Sequence, residues 1–307
     1  MISVLLSAYN GEKFIIEQLD SIKNQTLQPD EVIIIDDNSK DNTIKLCNQF
    51  ILDNNLLAKW KIIKNEINKG WQYNFHHGVK YTHGEYIFYC DQDDIWVNTK
   101  IEKLISLMKI HNNLNVIATN EKKIFNDGSF EYLYKPEDKL EIIDVEKNPK
   151  DVFIRCSGCS MVVKRSFLHK IENYYVDGYA HDAMAWNFAS IDKSCALYHD
   201  YTVIHRIHGN NVTVKRNTDF KIRVNSAKIS CSISNTILNY IEDNYNDKLK
   251  LKKIYIKYNK ADIIRYKFLC YHKIRYIIFL VVYSKYLYRR PRQLFGDIYY
   301  SLFKREK

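Results

Sequence analysis

The most constraining feature of the chain is a set of short apolar runs that are continuous rather than alternating. Ile2-Ser-Val-Leu-Leu-Ser7, Glu31-Val-Ile-Ile-Ile35, Trp60-Lys-Ile-Ile63 and Tyr86-Ile-Phe-Tyr-Cys90 each stop abruptly at polar or turn-forming residues. A strand wetted on one face alternates apolar with polar. A run without alternation is covered on both faces, as in a parallel sheet with helices above and below. The segments between supply those helices. Phe14, Ile15, Leu19 and Ile22 recur at helical spacing, and residues 40–54 and 73–81 also read as helical. The alternation predicts an α/β fold with a mostly parallel, Rossmann-like sheet. Ligands of such sheets bind at the carboxyl ends of the strands, and Tyr9, Asp36-Asp37 and Asp91–Asp94 all fall there.

The last of these ends is the most charged. Cys90-Asp-Gln-Asp-Asp-Ile-Trp96 sets three carboxylates within four residues. Left unpaired, they repel one another and raise the pKa of at least one member, so a positive charge is expected among them. Oxygen-only ligands favour a hard divalent cation, magnesium or manganese, which is the usual partner of a diphosphate. A solvated acidic turn, or a cap for the helix that follows, is the plainer alternative.

Beyond residue 98 a helix carries Ile101, Leu104, Ile105 and Met108 inward. A strand over 116–119, a turn at Asn126-Asp-Gly128, a strand over 159–163 and a helix over 165–172 follow. Tyr179-Ala-His-Asp182 opens another helix, and two short strands near 195–198 and 202–207 lead to His208-Gly-Asn-Asn211. From residue 221 the chain carries 20 Lys and Arg against 6 Asp and Glu, a local charge of +14 within a total of +10, together with half of its 24 tyrosines. That shift predicts two domains, residues 1–217 and a helical, basic, Tyr-rich region over 218–307. Basic and aromatic residues between apolar ones, as in Tyr271-His-Lys-Ile-Arg-Tyr-Ile-Ile-Phe-Leu280 and Tyr286-Leu-Tyr-Arg-Arg-Pro-Arg292, suit an anionic membrane surface. No nucleic-acid-binding motif accompanies the charge, so nucleic acid is not expected as a partner.

The longest uncharged apolar run, Tyr276 to Tyr283, is far short of the roughly 20 residues that span a bilayer. Met1 leads directly into a strand, so no secretory signal is expected. Seven cysteines without framework spacing point to free thiols in a reducing compartment. The expected location is cytoplasmic, peripheral to the inner face of the cell membrane. Cys156-Ser-Gly-Cys159 is a lone CxxC without a second pair, and zinc is not expected there.

Several stretches together carry a resemblance. Ser3-Val-Leu-Leu-Ser-Ala-Tyr-Asn10, Gln25-Thr26, Val32-Ile-Ile-Ile-Asp-Asp-Asn-Ser39 with Asp41, Asn68-Lys-Gly70 and Gly84-Glu-Tyr-Ile-Phe-Tyr-Cys-Asp-Gln-Asp-Asp-Ile-Trp96 resemble family 2 glycosyltransferases of the GT-A fold. The Asp-Gln-Asp-Asp-x-Trp form, with His181-Asp182 and Arg206-Ile-His-Gly-Asn-Asn211, is similar to bacterial rhamnosyltransferase-like members. The resemblance covers about residues 1–215.

It implies an inverting transferase that moves a sugar from a nucleoside diphosphate to an acceptor hydroxyl. In cell-surface polysaccharide synthesis that hydroxyl belongs to a lipid-linked glycan. The implied donor is dTDP-rhamnose, with a UDP-hexose as runner-up. Nucleotide-sugar contacts are implied for Ser7, Ala8, Tyr9, Asn10, Glu12, Asp37, Gly70, Asn74, Asp91 and Gln92. Asp93 is the implied direct ligand of Mn2+ or Mg2+, with Asp91 beside it and His208 completing the set. Asp182 is the implied general base. Trp96, Gly158, Cys159, His181 and Trp186 are expected around the sugar and acceptor, although Trp186, one turn on from Asp182, fits the core better than a sugar face. Where this family more often has an acidic pair, this chain has His181-Asp182. The rival reading is a catalytically degenerate nucleotide-sugar-binding scaffold held at the membrane by its basic tail.

Overall fold

A computed structural model describes residues 1–154, 156–209, 220–245, 249–287 and 291–303. The chain divides into two compact units. The first comprises Met1–Ile143, Asp151–Asn173 and Ala180–Asn211; the second comprises Asp144–Lys150, Tyr174–Tyr179 and Val212–Lys307.

The first unit begins with the strands β1 (Ile2–Ala8), β2 (Glu31–Asp36), β3 (Trp60–Lys64) and β4 (Tyr86–Asp91), separated by the helices α1 (Ile15–Lys23), α2 (Thr43–Asp53) and α3 (Trp71–Gly78). These four strands are parallel, in the order β3-β2-β1-β4. Val4, Leu5, Leu6, Val32, Ile34, Ile87 and Phe88 are fully buried, which accounts for their unalternating sequence. After β1 the chain builds outward on one side through β2 and β3, then returns to the other side as β4. The β1–β4 boundary is therefore a topological switch point, where the crevice of an open α/β sheet forms.

The rest of the unit is mixed. β5 (Ile95–Trp96) and α4 (Lys100–Ile110) precede β6 (Val116–Phe125), β7 (Phe130–Tyr132) and β8 (Leu140–Ile142). Then come β9 (Met161–Lys164), α5 (Arg165–Ile171), α6 (His181–Ile191) and β10 (Cys195–Ile207). β9 lies antiparallel between β4 and β6, and β10 runs parallel to β6 and antiparallel to the short β5. The two strands expected near 195–198 and 202–207 are one strand. It continues through the polar His199-Asp200-Tyr201 by shifting register against β6 between Tyr198 and Val203, a bulge that lets polar residues leave the pairing without ending it. The helix expected over 40–54 starts at Thr43, because Asp41 accepts the Thr43 N–H and hydroxyl and holds the preceding residues as a turn.

The second unit is helical: α7 (Phe220–Asn244), α8 (Leu249–Tyr271), α9 (Arg275–Val282), α10 (Ser284–Leu287) and α11 (Pro291–Phe303). Residues 144–150 and 174–179 belong to it through contacts that their sequence does not announce. The Tyr258 hydroxyl donates to the Pro149 carbonyl at 2.6 Å, and the Tyr174 hydroxyl donates to Asp243 at 2.8 Å. Among the described residues no helix is long and apolar enough to cross a membrane.

Packing at the base of β4 yields a stability test. A Cβ on Gly84 would stand 2.6 Å from the Ser3 backbone nitrogen, a clash that no rotamer relieves. Gly84→Ala should therefore push β4 from β1 and destabilise the chain by about 1–3 kcal/mol. Urea unfolding measures it; an unchanged midpoint would mean that the two strands are not so closely apposed.

Candidate functional site

The parallel register assembles the site. Ser7 lies opposite Asp91, and Ala8 opposite Asp36, so the ends of β1, β2 and β4 open at one edge. From there the chain forms a tightly bonded rim. Gln92 uses both ends of its amide on the backbone of Tyr9, accepting from its N–H at 2.7 Å and donating to its carbonyl at 2.9 Å. Asn10, exposed and at φ 50°, is tied by its N–H, which donates to Ser39 Oγ, and by its side chain, which accepts from the Lys40 N–H. Glu12 accepts from the backbone and side chain of Asn42. Tyr9 is 45% exposed and presents a ring at this edge.

Asp37 organises a second loop. Although buried, it accepts the backbone N–H groups of Lys69 and Gly70 and the amide of Asn65, each at 2.8 Å. Gly70 sits at φ 85°, a conformation that L side chains rarely adopt, and there its N–H reaches the carboxylate. Asn74 accepts from Asn65 and donates to Ser7 Oγ at 3.1 Å. Asp37 and Asn74 thus fix the loop that faces Ser7.

The acidic end of β4 is completed from far along the chain. β5 pairs with β10 so that Ile95 lies opposite Ile204. This antiparallel register carries the end of β10 back over the Asp93 loop. His208 Nε2 then comes within 2.9 Å of Asp93 Oδ2, and its ring stacks on Phe14 with centroids 4.7 Å apart. Arg206 lies over the same phenyl ring and pairs with Glu17 at 2.9 Å, and its N–H donates to Asp94 at 3.3 Å. Asn210 and Asn211 of this motif lie outside the described residues. Asp182 opens α6, its carboxylate accepting the Ala183 N–H at 2.7 Å. Burial, and then the negative charge of Asp182, raises the Tyr89 phenol pKa. Burial and the charges of Asp94, Asp93, Asp182 and Glu121 together hold the Asp91 carboxyl well above the usual carboxylate range. Asp91, Asp93, Asp182 and His208 are therefore brought together, and such a gathering of carboxylates calls for positive charge.

Part of that charge comes from within, from residues the sequence did not mark. Lys100 is fully buried beneath the loop, its ammonium donating to the Cys159 carbonyl and lying 4.2 Å from the Trp96 ring centroid. Burial lowers its pKa to about 8, against the opposing pull of Cys159, Cys90, Asp94 and Glu121. Glu121 accepts from the Ser157 N–H and hydroxyl and stands 3.7 Å from His205. Ligand atoms of Asp94, Cys159 and His205 lie within 4.8 Å of one another. With an ammonium already inside this cluster, it is a charge network that supports the loop from below. The available signal was Lys100 itself, at i, i+4, i+8 with the inward Leu104 and Met108.

Three expected sugar contacts are corrected. Trp96 is in the core against Phe88, and Trp186 is fully buried with its indole N–H donating to the Asp151 carbonyl. With both rings enclosed in the core, neither offers a face for a sugar to stack on. Cys159 is likewise buried. Gly158 and His181 meet each other: a Cβ on Gly158 would come within 2.3 Å of His181 Nε2 and 3.2 Å of the Asp182 Cβ. His181 packs on Phe75 and Tyr89, and neither ring nitrogen has a hydrogen-bond partner among the described residues. Burial lowers its pKa from 6.5 to about 3, so it is neutral at pH 7. A cavity of about 170 Å³ between α3, α5 and α6 touches His181, and neither Asp93, Asp182 nor His208 lines it.

Two stability experiments follow from this electrostatics. Lys100→Met leaves the buried carboxylates without their internal cation and should cost about 3–5 kcal/mol by urea unfolding; wild-type stability would show that the network does not depend on it. Between pH 6.5 and about 3 the unfolded chain protonates the residue-181 imidazole while the folded chain refuses. Stability is thus lost as pH falls through that window, by up to about 1.4 kcal/mol per pH unit from this group. His181→Leu should flatten that slope, and an identical slope in the variant would contradict the buried neutral imidazole.

Comparisons with known proteins agree with this architecture. Residues 3–171, more than half of the chain, match the sequence profile of Glycosyl transferase family 2. The dTDP-rhamnosyl transferase RfbG of Shigella flexneri is 29% identical over 234 residues, which are 71% of this chain and 76% of that protein. The UDP-Glc:alpha-D-GlcNAc-diphosphoundecaprenol beta-1,3-glucosyltransferase WfgD of Escherichia coli is 30% identical over 186 residues, 57% of this chain and 68% of that one. Among solved structures, S. aureus TarS 1-349 in complex with UDP-GlcNAc superposes with a TM-score of 0.68 at 17% identity, covering 98% of this chain and 86% of that. The mannosyltransferase PcManGT of Pyrobaculum calidifontis, in complex with GDP-Man and Mn2+, superposes with a TM-score of 0.57 at 13% identity, covering 99% and 88%. At these identities the structural likeness speaks to the fold, which is GT-A. With the profile spanning most of the parallel sheet and the Asp91–Asp94 end, the chain belongs to glycosyl transferase family 2.

Proposed function

We propose that the chain transfers a sugar, with inversion, from a nucleoside diphosphate to a hydroxyl of a lipid-linked glycan in bacterial cell-surface polysaccharide synthesis. The observation that carries this reading is the convergence of Asp91, Asp93, Asp182 and His208 beside the exposed Tyr9 at the switch point of the sheet. The donor we favour is dTDP-rhamnose, because RfbG, similar over most of the chain, is named for that nucleotide. A UDP-hexose is the second choice, in view of WfgD and of TarS with its bound UDP-GlcNAc. WfgD, named for a diphosphoundecaprenol-linked substrate, supports the lipid-linked acceptor. With such an acceptor the site of action is the cytoplasmic surface of the membrane.

Nucleotide recognition falls to the rim. Tyr9 offers a ring to the base, while the Asp37-bound loop at Gly70 and Asn74 sets the width of the slot. Asp37 already accepts three N–H groups, so one lone-pair direction is left for a base N–H. The donor set suits a divalent cation: an imidazole nitrogen stands 2.9 Å from a carboxylate oxygen, beside an Asp91 carboxyl raised by burial and by the negative charge of its neighbours. Asp93, Asp91 and His208 would hold Mn2+ or Mg2+, which supplies neutralisation of the diphosphate leaving group as the glycosidic bond breaks.

Asp182 accepts the proton of the attacking hydroxyl, which makes an oxygen nucleophilic enough to displace the diphosphate at the anomeric carbon from the opposite face. The Ala183 N–H holds that carboxylate in place. Neutral His181, pressed against Gly158, adds no positive charge that would weaken Asp182 as a base. With its pKa raised, the Tyr89 phenol stays protonated at any working pH, leaving Asp182 as the proton acceptor on this side.

Turnover of dTDP-rhamnose and UDP-glucose with a lipid-linked acceptor tests the reading. Asp182→Asn should lower kcat by about 10²–10⁴-fold while nucleotide binding persists. An unaffected rate would move the base elsewhere, and no turnover or nucleotide binding by the wild type would favour the scaffold reading.

A further inference from the structure

α11 has its amphipathicity inverted. Its polar residues Asp297 and Ser301 are fully buried, whereas Phe295, Tyr299 and Phe303, one turn apart along a single stripe, are 67%, 47% and 71% exposed. Specific bonds fix this orientation. The two oxygens of Asp297 accept from Arg223 at 2.8 Å and Arg265 at 2.7 Å, and Ser301 Oγ lies 2.9 Å from His272 Nδ1. Rolling α11 to hide the aromatic stripe would expose a buried carboxylate and break both ion pairs, which is strongly unfavourable. The neighbouring α9 repeats the pattern. Leu280 is its buried anchor, while Ile278, Phe279, Val281 and Val282, with the preceding Ile274, face outward. Exposed apolar residues scattered singly need no explanation, but a fixed stripe on two adjacent helices does.

The charge around the stripe identifies what covers it. Between residues 263 and 303 there are eight Lys and Arg and a single acidic residue, Asp297. Asp297 is the one held inside by two arginines, so this stretch presents no carboxylate outward. Lys273, Arg275 and Arg292 are exposed and flank the apolar side chains. Tyr288–Arg290, which add to the basic run, lie outside the described residues. A second copy of the chain would bring like charge against like. A nucleic acid would leave the aliphatic side chains of α9 without a partner. An anionic bilayer meets both requirements: its headgroups attract the basic rim, and its acyl boundary receives the apolar side chains. Neither α9 nor α11 is long enough to cross, so the contact lies in the plane of the interface.

We propose that Ile274, Ile278, Val282, Phe295 and Phe303 on α9 and α11 form a membrane-docking face for anionic phospholipid. The assignment builds on the lipid-linked acceptor proposed above, to which it would bring the enzyme, but its test needs neither nucleotide nor turnover. The full chain is mixed with phosphatidylcholine vesicles with and without phosphatidylglycerol, and flotation measures the bound fraction. Wild type should bind the anionic vesicles, weaken with added salt and ignore the neutral ones. Ile278→Ser with Val282→Ser and, separately, Phe295→Ser with Phe303→Ser should each weaken binding by about tenfold or more, with the thermal midpoint unchanged because these side chains are exposed. Lys273→Gln with Arg275→Gln should remove the salt dependence. Failure of wild type to bind anionic vesicles, or equal binding by the serine variants, would overturn the proposal. So would a wild-type dimer that the serine variants dissociate without loss of vesicle binding, which would assign the face to a second copy. Vesicle binding by a chain that shows no nucleotide response would leave this face standing while removing the catalytic reading.

Discussion

Negative charge gathered at one edge of a parallel sheet is the constraint on which the rest of the site depends. Burial first, and then the charges of neighbouring carboxylates, hold Asp91 and Asp94 above their ordinary range: Asp94, Asp93, Asp182 and Glu121 act on Asp91, and Asp93 and Glu121 on Asp94. A folded chain tolerates this only by supplying positive charge at close range. Beneath the loop it does so with the Lys100 ammonium, built into the fold among Asp94, Cys159 and Glu121. At the mouth, the end of β10 sets His208 against Asp93 and the Arg206 backbone N–H against Asp94. This outer layer is where the proposed cation and diphosphate would bind.

The same topology that concentrates the charge also aims it. β1 and β4 are neighbours with Ser7 opposite Asp91, and the two-residue β5 is the hinge that brings a residue 115 positions later onto Asp93. Around this point the rim is unusually well tied. Gln92 closes on Tyr9, Asp37 closes on Lys69 and Gly70, and Asn74 bridges Asn65 to Ser7. Several residues that resemble nucleotide contacts therefore spend their hydrogen bonds on one another. These bonds fix the rim before any ligand arrives, a preorganisation that suits the proposed nucleotide site.

The first four strands were legible because a strand covered on both faces loses its alternation, and the helices between them because of their 3.6-residue spacing. The Asp93–His208 pairing was legible only through resemblance, since no local rule links residues so far apart. β10 was read as two strands because His199-Asp200-Tyr201 looks like a break, and only the register shift against β6 reveals continuity. Lys100 was missed because a lysine on an apolar helix stripe normally reads as a surface residue; burial among carboxylates changes its meaning. Trp96 misled in the opposite direction. An aromatic residue near a sugar site invites stacking, but the core claimed it, as it claimed Trp186, for which the core was the better reading from the start. The +14 charge of residues 221–307 sets that stretch apart in the sequence, while the buried Asp297 that turns the apolar side of α11 outward could not be read from charge alone.

The most direct test of the central claim is calorimetric binding of dTDP and UDP to the full chain, with manganese, with magnesium and with excess chelator. If Asp91, Asp93 and His208 hold a divalent cation as proposed, one diphosphate binds only when the cation is present, and Asp93→Asn abolishes this binding while the fold is retained. Equal affinity in chelator, or undiminished metal-dependent binding by Asp93→Asn, would contradict the account of this sheet edge as a cation-and-diphosphate site.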